Sequence, residues 1–569
     1  MPRVAPRVLM LAAAALMAGT AWATPPPVAS RHGLVASDHH LASAVGARVL
    51  QDGGNAVDAA VATAFALAVV YPAAGNLGGG GFLLYHDAQS RAASYDFRET
   101  APAAATERMF LDERGAVRDS SNHRGLLSVG VPGTVAGLWL AHQRHGSRPW
   151  AELVQPAIDL AAGGFAFSQG MRDWCDWLAS TTDPLHAATR AAFLVDGVRA
   201  CRAGETLRQP DLAATLTRIR DHGRDGFYTG ETARLLATCM RDHGGLITEA
   251  DLAAYRAVER EPVRGAYKGH EIVAMGLPSS GGITLIEMLN MIDSAGLEGL
   301  GHNDAAYLHL LTEVMRRAYA DRARYLGDPD ASPPPTAEPM LRRERAAQLA
   351  QSISRLAASP SDSSAFNDAC LPPESEQTTH LSVVDAAGGA VSLTYTLEES
   401  YGSTLMAPGT GFLLNNEMGD FNAVPGLTDR RGNIGTAPNL VAPGRRMLSS
   451  MTPVIVARGG MPVLVVGSPG GRTIINTVLQ VVLNVIAFDM DIRAAIEAPR
   501  FHHQWLPDVT QFEAHGFAPE VRRAYAAMGH PVKKRAPQGI AMGIMVDRET
   551  GWRYGAADSR SYDGGVAGY

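Results

Sequence analysis

The strongest chemical case in this chain belongs to Thr378, in the run Gln377-Thr378-Thr379-His380. A threonine hydroxyl is a weak nucleophile at neutral pH. A threonine at a chain terminus, however, carries its own α-amine, whose ordinary pKa of about 7.7–8.0 suits a general base. The residues that follow alternate in polarity, turn at Asp385–Gly389, and return through Thr394-Tyr395-Thr396-Leu397-Glu398, which reads as a β-hairpin. A three-residue loop centred on Ala387, with Gly388 or Gly389 in the left-handed position, sets Thr396 opposite Thr378. Their hydroxyls then share one face, so Thr396 is placed to orient the nucleophile, while Thr394 reads as an ordinary strand threonine.

A second feature suits an acyl-transfer centre. Gly467-Ser468-Pro469-Gly470-Gly471-Arg472 joins a strand ending near Val466 to a helix expected over about 473–486. The amides of Gly470 and Gly471 at that helix N-terminus favour a developing negative charge, and glycine lets a ligand approach the backbone closely.

The elements that must position these groups follow from periodicity. Helical patterns cover 41–50 and 55–70, split by Gly53-Gly54 and ended by Tyr71-Pro72; others cover 283–295 and 303–325, the last capped by Asn303 or Asp304. Gly78–Gly81 leads into a strand over 82–85 and reads as close backbone packing, because a phosphate loop wants its glycines between a strand and a helix. The stretch 352–376, rich in Ser, Pro and Asp, reads as a surface loop. Beyond Thr378 strands dominate, over 379–385, 390–397, 452–457 and 463–466. Helix-rich sequence before Thr378 and strand-rich sequence after it predict one layered α+β body, since each half exposes apolar faces that need the other.

Composition excludes several classes. Apolar residues make up 46% and charged residues 19% of 569, with a formal charge of −7, which leaves no basic footprint for nucleic acid. Arg3 and Arg7, an apolar run from Val8 to Met17 and Ala21-Trp22-Ala23 form a secretory signal, expected to be cut after Ala23. That predicts an exported protein, periplasmic in a Gram-negative host, with no membrane span once residues 1–23 are gone. Cys175, Cys201, Cys239 and Cys370 allow three pairings and show no zinc-type spacing. His502 and His503 lack metal spacing, and no G-x-S-x-G elbow is present.

The segment from Thr378 to Gly402 resembles the γ-glutamyltransferase (γ-glutamyl transpeptidase) family. Thr378, His380, Ser382, Gly388, Val391, Ser392, Thr394, Thr396, Leu397, Glu398, Tyr401 and Gly402 fall at its spacing, while Gly389 stands where Ser or Asn is usual. The resemblance runs from about Gly33 to Tyr569 and implies the four-layer αββα sandwich of the N-terminal-nucleophile hydrolases. It implies self-cleavage between Gln377 and Thr378, giving a large chain (24–377) and a small chain (378–569) that stay together as a heterodimer. It implies that Arg98, with Ser449 and Ser450, holds a substrate α-carboxylate; that Glu398, Glu417 and Asp420 grip the α-ammonium; and that Thr396 orients Thr378. Residues 425–443 align with a lid, with Arg431 where some members carry an aromatic gate. The implied activity is transfer of a γ-glutamyl group from glutathione and related compounds to water or to amino acid or peptide acceptors, without metal or cofactor. The rival readings are a glutaryl-type cephalosporin acylase of the same family and a non-catalytic exported binding protein.

Overall fold

A computed structural model describes residues 25–361, 378–428 and 434–569. Two seven-stranded antiparallel sheets form its centre. In spatial order the first runs Gly565–Gly568, Leu34–Ser37, Thr379–Val384, Ala390–Thr396, Gly80–His86, Ala92–Phe97 and Val258–Arg260. The second runs Val28–Ser30, Arg553–Ala557, Met542–Val546, Met461–Gly467, Val454–Arg458, His270–Ala274 and Val263–Tyr267.

Three apolar layers hold the sandwich. Alternate side chains of the first sheet, such as Leu83, Leu381, Val383, Val391 and Leu393, pack with the helices Ala56–Val70, Thr134–His145 and Trp150–Gly163. The opposite face meets the second sheet through Leu34, Ala36, Leu84, Val384, Ile455, Val465, Met542 and Ile544. The far face of the second sheet packs with Gly281–Ala295, Ala305–Tyr325 and Thr473–Ile486. The fold is therefore the α+β body that the sequence predicts, with the four αββα layers that the family resemblance implies.

The helices begin and end where sequence puts them. Asn55 caps Ala56–Val70 with a capping box completed by Asp58, and Asp304 caps Ala305–Tyr325. The Ala56–Val70 helix is buried on all sides, which accounts for its lack of a polar face. One expectation needs amending. The part before Thr378 supplies half the strands of the two large sheets, beyond the single strand over 82–85. Most of these are three to six residues long. Such short strands carry too few alternations to stand out between long helices.

The hairpin register is the one expected. Thr379 faces Tyr395 and Val384 faces Ala390, and Gly388 takes the left-handed position with φ 90°. Even-numbered residues of both strands, His380, Ser382, Ser392 and Thr394, bond among themselves or to the second sheet. Thr378 and Thr396 continue that face, at the edge of the space between the sheets. The Gly78–Gly81 run packs as expected: a Cβ on Gly79 would lie 2.0 Å from the Thr396 carbonyl oxygen and one on Gly81 2.4 Å from that of Thr394. Cys175, Cys201 and Cys239 form no disulfide, and Cys370 lies outside the described residues, as do the signal segment through Thr24, Gln377 and Arg431.

Candidate active site

A cleft of about 330 Å³ opens where the two sheets end, lined by Arg98, Thr378, Thr396, Glu398, Glu417, Asp420, Ser449, Ser450, Met451, Gly471 and Ile474. Nine of the ten residues singled out from sequence for catalysis or substrate binding are in that lining. The tenth, Gly470, precedes Gly471 and does not line the cleft.

Thr378 immediately precedes the Thr379–Val384 strand of the first sheet and is buried. Beside it, Thr396 Oγ1 accepts a hydrogen bond from the Glu398 amide at 2.9 Å. Asn76 donates to the Thr396 carbonyl oxygen at 2.9 Å and fixes that end of the strand. The Gly467–Arg472 turn closes the second sheet's Met461–Gly467 strand and opens the Thr473–Ile486 helix. Gly470 and Gly471 have φ of 135° and 54°, values that L side chains rarely adopt, which explains glycine at both positions. The cleft thus brings two threonine hydroxyls to a helix N-terminus, an arrangement that can serve acyl transfer.

The other end of the cleft is charged. Arg98, fully buried, forms ion pairs with Glu417 and Asp420, donates to the Met447 carbonyl oxygen at 3.3 Å and lies 3.7 Å from Glu99. Burial alone would lower its pKa, but Glu417, Asp420 and Glu99 outweigh burial and keep it charged. One guanidinium cannot neutralise three carboxylates, of which Glu99 and Glu417 are fully buried. Burial accordingly holds Glu417 well above the ordinary carboxylate range and pushes Glu99 up to about 8. Glu398 is likewise pushed up by burial to about 8, against the lowering effect of His123. Glu398 also sits at φ 80°, a strained value for a residue with a side chain.

Three residues that sequence did not single out shape this end. Glu99 lies under Arg98 and is fully buried. Arg322 donates to Ser450 Oγ at 2.9 Å and to Ser280 Oγ at 2.8 Å, holding the serine pair from the Ala305–Tyr325 helix. His123 contacts both Glu398 carboxylate oxygens, at 3.1 and 3.3 Å. Only Glu99 gave a signal, by its place next to Arg98; a lone histidine in a loop gives none.

Ligand atoms of His123, Glu398 and Glu399 come within 4.8 Å of one another, the one such grouping among the described residues. His502 and His503 instead bond to Asn476, Gln504 and Asp508. Residues 434–443 lie against Asn422 and Ala323 through Asn439 and Thr436, which ties the far end of the 425–443 loop beside the Glu417–Asp420 turn. No described helix is long and apolar enough to cross a membrane.

Residues 42–569 match the family model described as Gamma-glutamyltranspeptidase. The glutathione hydrolase proenzyme of Escherichia coli strain K12 is 44% identical over 543 residues, covering 95% of this chain and 93% of that one. The acylase ACY 1 proenzyme of Pseudomonas sp. strain SE83 is 34% identical, covering 93% and 92%. The crystal structure of cephalosporin acylase from Bacillus halodurans superposes with a TM-score of 0.82 at 26% identity, covering 97% and 99%. The chain is an enzyme of the gamma-glutamyltranspeptidase family.

Proposed function

We propose that this protein is a self-processing γ-glutamyltransferase and glutathione hydrolase. The observation that carries the reading is the convergence, in one cleft, of Thr378 and Thr396 with Arg98, Glu398, Glu417, Asp420, Ser449 and Ser450. The higher identity to the glutathione hydrolase proenzyme than to the acylase points the same way.

In maturation, Thr378 Oγ attacks the carbonyl carbon of Gln377. The peptide C–N bond breaks and an ester joins Gln377 to Oγ. Water then hydrolyses the ester, leaving a Gln377 carboxyl and a free Thr378 amine. In turnover that amine takes the Oγ proton while Oγ attacks the γ-carbonyl of the donor. The Gly470 and Gly471 amides receive the developing oxyanion, and the proton passes to the departing amine. Water or an acceptor amine then attacks the γ-glutamyl ester, and Thr378 Oγ recovers its proton. The donor's α-carboxylate takes Arg98, Ser449 and Ser450, while its α-ammonium takes Glu398, Glu417 and Asp420.

Cleavage leaves two interlocked chains, 24–377 and 378–569. The Thr379–Val384 strand pairs with Leu34–Ser37, and the Ala390–Thr396 strand with Gly80–His86, so separating the chains would open the first sheet and expose its apolar face. The 425–443 loop serves as the lid. Removal of residues 1–23 accompanies export, to the periplasm in a Gram-negative host.

A denaturing gel with N-terminal sequencing tests the reading. Two bands are expected, the smaller beginning at Thr378, whereas Thr378→Ala stays as one inactive chain. If Thr378→Ala is still cut at that bond, another protease does the cutting and self-processing is wrong.

A further inference from the structure

We propose that His123 is a positioning residue for γ-glutamyl recognition: clamped against both oxygens of Glu398, it holds that carboxylate in place and opposes its protonation, so that the substrate α-ammonium meets a charge more readily. This rests on the reading of Glu398 as an ammonium partner.

The geometry locks three separate segments together at this histidine. Its ring lies 3.1 and 3.3 Å from the two Glu398 oxygens. A Cβ on Gly419 would come within 2.3 Å of His123 Nδ1, so the imidazole is wedged against the Glu417–Asp420 turn, and only glycine leaves it room. The His123 backbone is held as well. Its amide donates to Ser120 O at 2.9 Å, and its carbonyl accepts from Asn416 Nδ2 at 3.1 Å. Asn416 Oδ1 in turn accepts from the Glu399 amide at 3.1 Å, so one amide side chain ties the histidine loop to the Glu398-Glu399 corner. The Glu398 amide reaches Thr396 Oγ1, which connects this corner to the nucleophile strand.

The charges around the pair explain why a cation is needed. Glu399 adjoins Glu398 in sequence, while Asp420 and Glu417 face it from the 417–420 turn. The Arg98 guanidinium is committed to Glu417 and Asp420. His123 brings a positive side chain into contact with Glu398. Burial would lower the His123 pKa, but Glu398, Glu399 and Asp420 raise it to about 9, so it is an imidazolium at neutral pH. Without it, a buried Glu398 among like charges holds its proton to still higher pH and presents a neutral acid to an ammonium.

The test is a double-mutant cycle on the processed enzyme, read with γ-glutamyl and glutaryl p-nitroanilides. The glutaryl compound lacks only the α-ammonium. His123→Gln should lower the γ-glutamyl to glutaryl ratio of kcat/KM by about tenfold, the factor for one pKa unit of Glu398, mainly through KM for the γ-glutamyl compound. That loss should shrink between pH 7 and pH 8.5, as Glu398 sheds its proton. Comparing variant with parent at each pH cancels titration of the substrate amine and of the Thr378 amine. Adding His123→Gln to Glu398→Gln should cost no further selectivity, since the histidine acts through that carboxylate. His123→Asn serves the same cycle if the glutamine variant does not mature into two chains.

Full additivity of the two substitutions, or an equal loss on both substrates at every pH, would overturn the proposal and leave His123 a packing residue. If Glu398→Gln alone leaves the selectivity ratio unchanged, the ammonium reading of Glu398 fails instead.

Discussion

Deleting the substrate's α-ammonium is the sharpest perturbation of the proposed pocket, and the structure sets its size. A glutaryl anilide keeps the chain length and carboxylate of the γ-glutamyl compound but brings no ammonium to Glu398 and Asp420. Two charge-assisted hydrogen bonds at about 1.5–3 kcal/mol each give roughly 3–6 kcal/mol of gross preference. Part of this is spent before binding, because Glu398, pushed up to about 8, is mostly protonated at pH 7. Removing that proton costs about 1.4 kcal/mol at one pH unit below the pKa. The remainder, roughly 2–5 kcal/mol, predicts a kcat/KM preference on the order of a hundredfold for the γ-glutamyl anilide. The sign of the pH effect follows: the preference should widen from pH 7 to pH 8, as the proton no longer has to be displaced. Initial rates on both anilides across that interval measure it. Equal kcat/KM for the two would refute the ammonium subsite and favour the acylase reading.

Arg98→Ala should lower kcat/KM on the γ-glutamyl anilide at least about tenfold, from one lost charge-assisted bond, with lysine rescuing only in part; unchanged kinetics would remove Arg98 from the site. Gly471→Ala, at φ 54° on the cleft wall, should cut kcat on the order of a hundredfold with little change in KM, and a KM effect alone would argue against an oxyanion role. Glu99 stays protonated up to about pH 8 in the folded protein but ionises near its ordinary pKa when unfolded, so its contribution to stability is complete at acid pH and is lost as pH rises toward 8. Glu99→Gln should therefore gain thermal midpoint relative to the parent between pH 6.5 and pH 8; the buried histidines His380 and His502, both lowered to about 3, are common to the two proteins and cancel in the comparison. Parallel midpoint curves would show that Glu99 is not the strained acid.

The legible parts of this protein were those written in contiguous sequence. The hairpin register followed from a three-residue loop and period-two alternation, and it alone brought Thr396 beside Thr378. The Gly470-Gly471 turn was readable because a strand ends at one side and a helix starts at the other. The charged end of the cleft was legible only as a set of motif positions; nothing local says that Arg98 reaches Glu417 and Asp420. His123 and Glu398 are separated by 275 positions, and Arg322 and Ser450 by 128. Their pairing is a product of how the layers stack, so residue type and spacing carried no trace of it. The upstream strands were missed for a related reason: a three-residue edge strand such as Val258–Arg260 is specified by its neighbour's open hydrogen bonds rather than by its own pattern.

The pairing of Arg98 with Glu417 and Asp420 also explains how one cleft can choose between close relatives of a substrate. The group meant for a carboxylate and the groups meant for an ammonium satisfy each other in the protein itself. A zwitterionic glutamyl head exchanges each of these contacts for an equivalent one: its carboxylate replaces the acids at Arg98, and its ammonium replaces Arg98 at the acids. A head with the carboxylate alone takes Arg98 and strands the acids in a buried site, which is costly unless they protonate. Selectivity then depends on how readily Glu398 and Glu417, both raised by burial, accept protons, more than on the shape of the cleft. The cephalosporin acylase shares the fold over nearly its whole length, so the layers that hold Thr378 do not distinguish the two chemistries. On this reasoning the acidic side chains, and the histidine that opposes the protonation of one of them, decide which acyl group reaches Thr378.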